Sequence, residues 1–362
     1  MLSKELTESF LRLVRLGIGN EEPGESEDIL KIDWSALEAL AVVQGLSAVV
    51  LDGLDELPAS AYDMPVMMKK QWIGEVLQGY EYRYELCCRA IGEMASFYNA
   101  HGYKMMVLKG YACSLDWTKP EHRPTGDIDI WLFGRQKEAD DALIQENNVK
   151  LDASHHHHTV FYWRDFMVEN HYDFLNVHHH KSNVELEAIL KGLAADDSHY
   201  VDLYGERVYL PSANLHALFL LRHAASHFAS TGMNLRQLLD WGFFVRAHGN
   251  DVDWKWLTGV LEKVGMKGFF NCANAICVED LSFSAELFPA GRCEPELRLR
   301  VLNEILNREF EGNTPSRFLS RVVFRFRRWR ANEWKHRLCY KESTWSAFWS
   351  GVWSHLLKPS SI

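Results

Sequence analysis

The chain has 362 residues, 47% of them hydrophobic and 24% charged, with a formal net charge of −10. That length suggests about two domains and is ample for a buried core, while the acidic balance argues against wholesale binding of nucleic acid. No apolar run approaches the ~18 residues a membrane helix needs and none follows a basic start, so a cytoplasmic protein is expected. Seven cysteines, an odd number with no Cys-x-x-Cys pair, read as reduced, mostly buried thiols and not as a disulfide or zinc framework.

Residues 1–100 read as a helical region. Leu6, Phe10, Leu11, Leu13 and Val14 form one apolar stripe, and Trp34 to Leu51 forms a second behind Asp33 as N-cap. Pro58 and Pro65 interrupt the chain before a longer helix, about Met67 to Ala100. Its Trp72, Val76, Leu77, Tyr80, Tyr84, Leu86 and Met94 are spaced for burial, and Gly102 is a natural C-cap.

Residues 101–210 read as an α/β core. Met105–Leu108 is an apolar strand, followed by a Lys109-Gly110 turn, a short helical segment and a loop broken by Pro120, Pro124 and Gly126. A second strand runs from Asp127 to Trp131. Alternation places Asp127 and Asp129 on one face, about 7 Å apart, and turns Ile128 and Ile130 into the core. Like charges at that spacing repel, and a divalent cation offsets the cost. Mg²⁺ takes oxygen ligands and leaves positions for water or phosphate. A solvated face of an edge strand is the plain alternative for an isolated Asp-x-Asp.

A helix at Gln136–Asn147, with its acidic side toward solvent, precedes a hairpin of His155–Trp163 and Phe166–His171 around Arg164-Asp165. Glu169 and His171 share a face of its second strand. Val184-Glu185-Leu186-Glu187 also alternates, but Val184, Leu186, Ile189, Leu190 and Leu193 fit a helical stripe, so Asn183–Leu193 reads as a helix. The histidine runs 155–158 and 178–180 invite a metal reading. On a strand at most half of such a run can converge, so it is read as an edge strand or loop near the site, able to hold metal from a purification column.

Leu108-Lys109-Gly110 and Arg123-Pro124-Thr125-Gly126-Asp127-Ile128-Asp129 resemble the uncharacterised nucleotidyltransferase family of the DNA polymerase beta-like superfamily. Lys109-Gly110 stands where the superfamily usually has Gly-Ser. The resemblance implies an α+β fold: a small mixed sheet carrying the metal-site carboxylates, an N-terminal helical region and a C-terminal helical domain. It implies Glu169 as a third carboxylate beside Asp127 and Asp129, together holding two Mg²⁺ ions. A nucleoside triphosphate such as ATP would be the donor to an unidentified hydroxyl acceptor. Lys109, Gly110 and Arg123 would then hold the triphosphate, and His171 would orient a water or the acceptor.

Residues 211–362 read as a C-terminal helical domain. His223 and His227 stand at i,i+4 on one helix, the spacing of zinc ligands, but Ala224 replaces the glutamate a zinc protease needs. Arg236 and Asp240 form an i,i+4 pair on the next helix. A structural bridge and contact with nucleotide or acceptor both remain open for these residues. So does a metal-dependent phosphohydrolase using His223, His227 and Asp240, and so does a non-catalytic nucleotide- or RNA-binding module of the same fold. Between Ser316 and Arg337 the chain carries +7 against −17 elsewhere, and from Phe318 to Leu357 arginine is mixed with Phe324, Phe326, Trp329, Trp334, Trp345, Phe348, Trp349 and Trp353. RNA, an anionic membrane surface, and simple packing of the rings with solvated arginines are the three readings of that tail.

Overall fold

The computed structural model describes residues 2–24, 32–177, 180–230, 232–307 and 318–343. In chain order the elements are α1 (Lys4–Gly17), α2 (Trp34–Gln44), α3 (Ser47–Asp55), α4 (Val66–Val76), α5 (Arg83–Ala100), β1 (Met106–Val107), α6 (Tyr111–Ser114) and β2 (Ile128–Trp131). There follow α7 (Gln136–Asn147), β3 (His158–Trp163), β4 (Phe166–His171), α8 (Lys181–Leu193), β5 (Tyr200–Leu203), β6 (Glu206–Tyr209) and α9 (Ala213–Ala229). The chain then continues through α10 (Leu235–His248), α11 (Trp254–Lys263), α12 (Lys267–Glu279), α13 (Pro295–Leu306), α14 (Phe318–Ala331) and α15 (Glu333–Cys339). The architecture is α+β, with one six-stranded mixed sheet. Among the described residues, no helix is long and apolar enough to cross a membrane. All seven cysteines are free and six are buried.

The chain forms two compact units. The first centres on Met1–Gly79, Leu221–Gly249 and Thr258–Lys341, and the second on Tyr80–Leu220 with Asn250–Leu257.

The first unit is helical. Asp33 caps α2 by accepting from the Ala36 N–H at 3.0 Å. The expected helix from Trp34 to Leu51 is two helices, because Gly45 takes a left-handed conformation (φ 67°) that ends α2. α1 and α3 approach so closely that a Cβ on Gly17 would lie 2.0 Å from the Val49 carbonyl oxygen, and one on Gly53 2.0 Å from that of Leu13. The buried Gln44 amide ties distant segments together, donating to the Ile305 carbonyl and accepting from the Leu235 N–H. The helix expected from Met67 to Ala100 is α4 and α5 with a wide π turn, Leu77–Tyr82, between them.

The second unit holds the sheet, in the order β3-β4-β2-β1-β6-β5. β2 runs antiparallel to β1 and parallel to β4, while β3–β4 and β5–β6 are antiparallel hairpins. Ile91, Met94, Ala95 and Tyr98 of α5 and Ala139 and Leu143 of α7 pack on one face, against Ile128, Ile130, Phe161, Val168 and Val208. The β5–β6 hairpin was not legible as strands. Its turn is Tyr204-Gly205, both with positive φ, and the Gly205 N–H donates to Asp202.

The acidic side of α7 is not wholly solvated, contrary to expectation: Asp140 is buried and accepts from Asn170 Nδ2 (2.8 Å), Thr159 Oγ1 (2.9 Å) and Gln136 Nε2 (2.9 Å). Burial raises its pKa, and those three donors work against the rise. This buried clip fixes β3 and β4 on the helix-covered face of the sheet.

Candidate active site

With Ile128 and Ile130 in the core, Asp129 between them faces the other way. β2 and β4 pair in parallel register, Ile128 with Val168 and Asp129 with Glu169, so the two carboxylates stand on one rung of the same face. β3 adds His158 directly opposite His171. This register follows from the two-residue turn at Arg164-Asp165, which pairs Trp163 with Phe166 and every residue outward from there.

Asp129 is almost fully buried. Its Oδ1 lies 2.7 Å from Lys109 Nζ and 3.0 Å from His171 Nε2. Burial opposes its ionisation, but the Lys109 and His171 charges prevail and hold it well below the usual carboxylate range. Glu169 Oε2 lies 3.6 Å from His171 Nε2, and its Oε1 3.8 Å from His158 Nε2. Burial disfavours a charge on His171, yet its hydrogen bonds to Asp129 and Glu169 raise its pKa to about 9. Asp129, Glu169 and His171 each present an atom within 4.8 Å of the others, a spacing that could hold a metal ion.

Asp127 is set differently from the expectation of two equivalent carboxylates. It precedes the first paired residue of β2 and is exposed at the rim, while Asp129 is buried. Its surroundings raise its pKa, first by desolvation and then by the Asp129 charge, with Lys109 opposing. It therefore belongs to the same field of charge but not to the close-packed trio.

Lys109 is held by Asp129 and lies 5.8 Å from the Phe219 ring centroid. Gly110 has φ 58° and ψ −100°, a conformation open in practice to glycine alone, and a Cβ there would lie 3.4 Å from the Asp127 carbonyl oxygen. Arg123 is buried and donates to the Pro124 carbonyl at 3.3 Å. Gly110, Arg123, Thr125 and Asp127 line one small recess with Tyr84 and Tyr111, whose rings stack at 6.3 Å. All seven sequence-derived site residues thus lie in one region of the second unit, Lys109, Asp129, His171 and Glu169 joined in a chain of contacts and the other three along its edge.

The histidine run is loop and edge strand near the site, as expected, but the strand starts at His158 and not at His155. Only His158 is in a strand; residues 155–157 form a bend, so alternation does not separate them. His157, His158 and His171 come within 4.8 Å through one nitrogen each. His178 and His179 lie outside the described residues. Val184 is exposed and not part of the α8 stripe, whereas Glu187 is buried and accepts from the Phe174 and Leu175 N–H groups, which explains its carboxylate structurally.

In the first unit the His223 and His227 rings sit 4.4 Å apart. Among the described residues, His223, His227 and Asp240 do not form a group close enough to share an ion. In the basic segment, Lys335 pairs with Glu304, Arg337 with Glu333, and Phe326 stacks on Trp329 at 5.7 Å. Trp345, Phe348, Trp349 and Trp353 lie outside the described residues.

A family model described as uncharacterised nucleotidyltransferase matches residues 31–281, a span that includes every residue of this site. The chain belongs to that nucleotidyltransferase family. No curated protein matches it. Among solved structures, an antigenic nucleotidyltransferase-like protein from Paracoccidioides brasiliensis is similar at 13% identity and a TM-score of 0.36, over 56% of this chain and 95% of that one. In this member of the family the cluster of Asp129, Glu169 and His171 supplies oxygen and nitrogen donors suited to a divalent cation, with the rim carboxylate of Asp127 facing the same field.

Proposed function

We propose that the protein transfers a nucleoside monophosphate from a nucleoside triphosphate to a hydroxyl acceptor, with Mg²⁺ held by Asp127, Asp129 and Glu169. The observation that carries this reading is the in-register pairing of Asp129 with Glu169 beside Lys109. Acids are kept together on one face there at an electrostatic cost that a purely structural strand has no need to bear. When bound, the cations would offset phosphate charge, lower the pKa of the attacking hydroxyl and align the reacting groups.

The chain's own groups do the rest. Lys109 and Arg123 bring positive charge to the triphosphate oxygens, and Gly110, with no Cβ, lets the backbone approach them. Glu169 accepts the proton of the acceptor hydroxyl, and His171 orients that hydroxyl. The acceptor oxygen forms its bond to the α-phosphorus as the bond to pyrophosphate breaks in line. Mg²⁺-dependent release of pyrophosphate, measured with each triphosphate against a panel of hydroxyl acceptors, tests the reading. Release that is lost in Asp129→Asn supports it; an equal rate in that variant removes it.

A further inference from the structure

Beyond the carboxylates, the geometry points to a transition-metal site formed by His157, His158 and His171, distinct in its ligand chemistry from a Mg²⁺ site. Three imidazole nitrogens within 4.8 Å of one another favour a first-row dication such as Zn²⁺, Co²⁺ or Ni²⁺ over Mg²⁺, which prefers oxygen.

Four observations support it. His171 Nδ1 faces the Asp173 carbonyl at 3.1 Å, the outer contact that orients a metal-binding imidazole and directs its Nε2 inward. His158 is 5% exposed, and its Nδ1 is buried without a hydrogen-bond partner. The Nδ1 of His157 is orphaned in the same way. Buried polar atoms are nearly always paired, so two such nitrogens on adjacent residues call for a ligand, and ring packing alone does not satisfy them. The backbone is built to hold them in place: the His157 carbonyl accepts from both the Tyr172 and Asp173 N–H groups, and His158 is paired across the ladder with His171. Finally, Glu169 Oε2 lies 3.6 Å from His171 Nε2, placing a carboxylate beside the nitrogen that His171 turns inward.

His171 is common to this group and to the trio with Asp129 and Glu169, so a transition metal here would lie beside the carboxylates proposed for transfer. The inference itself rests on the histidines and stands whether or not transfer occurs.

The test uses the full chain without an affinity tag, stripped with a chelator and titrated with Co²⁺ alone while its visible absorption is followed. One Co²⁺ per chain is expected, displaced by Zn²⁺ and retained in excess Mg²⁺. His157→Gln, at a half-buried position, and His158→Gln should each weaken it by about tenfold or more, with far-ultraviolet circular dichroism confirming the fold. A doubly substituted His155→Gln/His156→Gln chain should keep it. Absence of stoichiometric Co²⁺ binding, unchanged affinity in His157→Gln, or loss of binding only in the His155/His156 variant would overturn the site. Co²⁺ binding in a protein that takes no nucleoside triphosphate would support this site while removing the transfer reading.

Discussion

Asp129 and Glu169 occupy the same rung of the parallel β2–β4 ladder, and His171 Nε2 bridges them at 3.0 and 3.6 Å. The register decides the chemistry. A slip of one residue would turn Glu169 toward α7 and place the amide of Asn170 beside Asp129. The clip from Asp140 to Asn170 and Thr159 on the opposite face works against that slip.

Glu169→Gln should therefore lower pyrophosphate release by about a hundredfold or more, the scale of losing one group that acts on transition-state charge. Glu185→Gln, on α8 and outside both metal-competent groups, should leave it within about twofold. Steady-state kinetics on the two variants checks the assignment, and the reverse order of effects would move the third carboxylate to α8.

Asp140→Ala should destabilise the protein by about 1–3 kcal/mol, because it leaves the buried Asn170 amide and Thr159 hydroxyl without their acceptor. Urea denaturation with an unchanged slope would show the loss, and activity should fall with it as the β4 register loosens. A variant as stable as the parent would show that the clip does not hold the strand.

Gly110→Ala should cost about 1–3 kcal/mol from the positive φ alone. The added Cβ also stands where the backbone is proposed to meet the phosphates, so triphosphate affinity should fall more than stability explains. Calorimetric affinity measured beside the melting temperature separates the two effects.

Lys109→Met removes one of the two cationic partners of buried Asp129. The metal-free variant should lose about 3 kcal/mol or more of stability, the scale of breaking a buried pair. Saturating Mg²⁺ should return part of it, because a cation bound at Asp129 replaces the lost charge. Thermal melts with chelator and with Mg²⁺ give the comparison, and an identical loss in both would detach Lys109 from the metal-binding face.

Much of this was legible in local pattern. Ile128 and Ile130 announced the buried face of β2 and so the outward face of Asp129, and the Arg164-Asp165 turn set β3 against β4. Alternation also marked Glu169 with His171. What escaped depended on partners distant in sequence. Asp140 looks like any solvated acid on an amphipathic helix until Asn170 and Thr159 are placed beneath it. The β5–β6 hairpin lacks an Asn-Gly or Asp-Gly turn, since Tyr204 takes the left-handed position those residues usually fill. The histidine run is loop and edge strand near the site, as expected, but alternation does not govern residues 155–157, which form a bend. The turn-set register already put His158 opposite His171, and that signal could have been used.

The most direct test of the account is calorimetric titration of each nucleoside triphosphate into the protein with Mg²⁺, repeated with Asp127→Asn/Asp129→Asn. Metal-dependent binding of a triphosphate by the parent, absent from the folded double variant, is the result this account predicts. A parent protein that binds no triphosphate, or a double variant that binds as tightly, would contradict it.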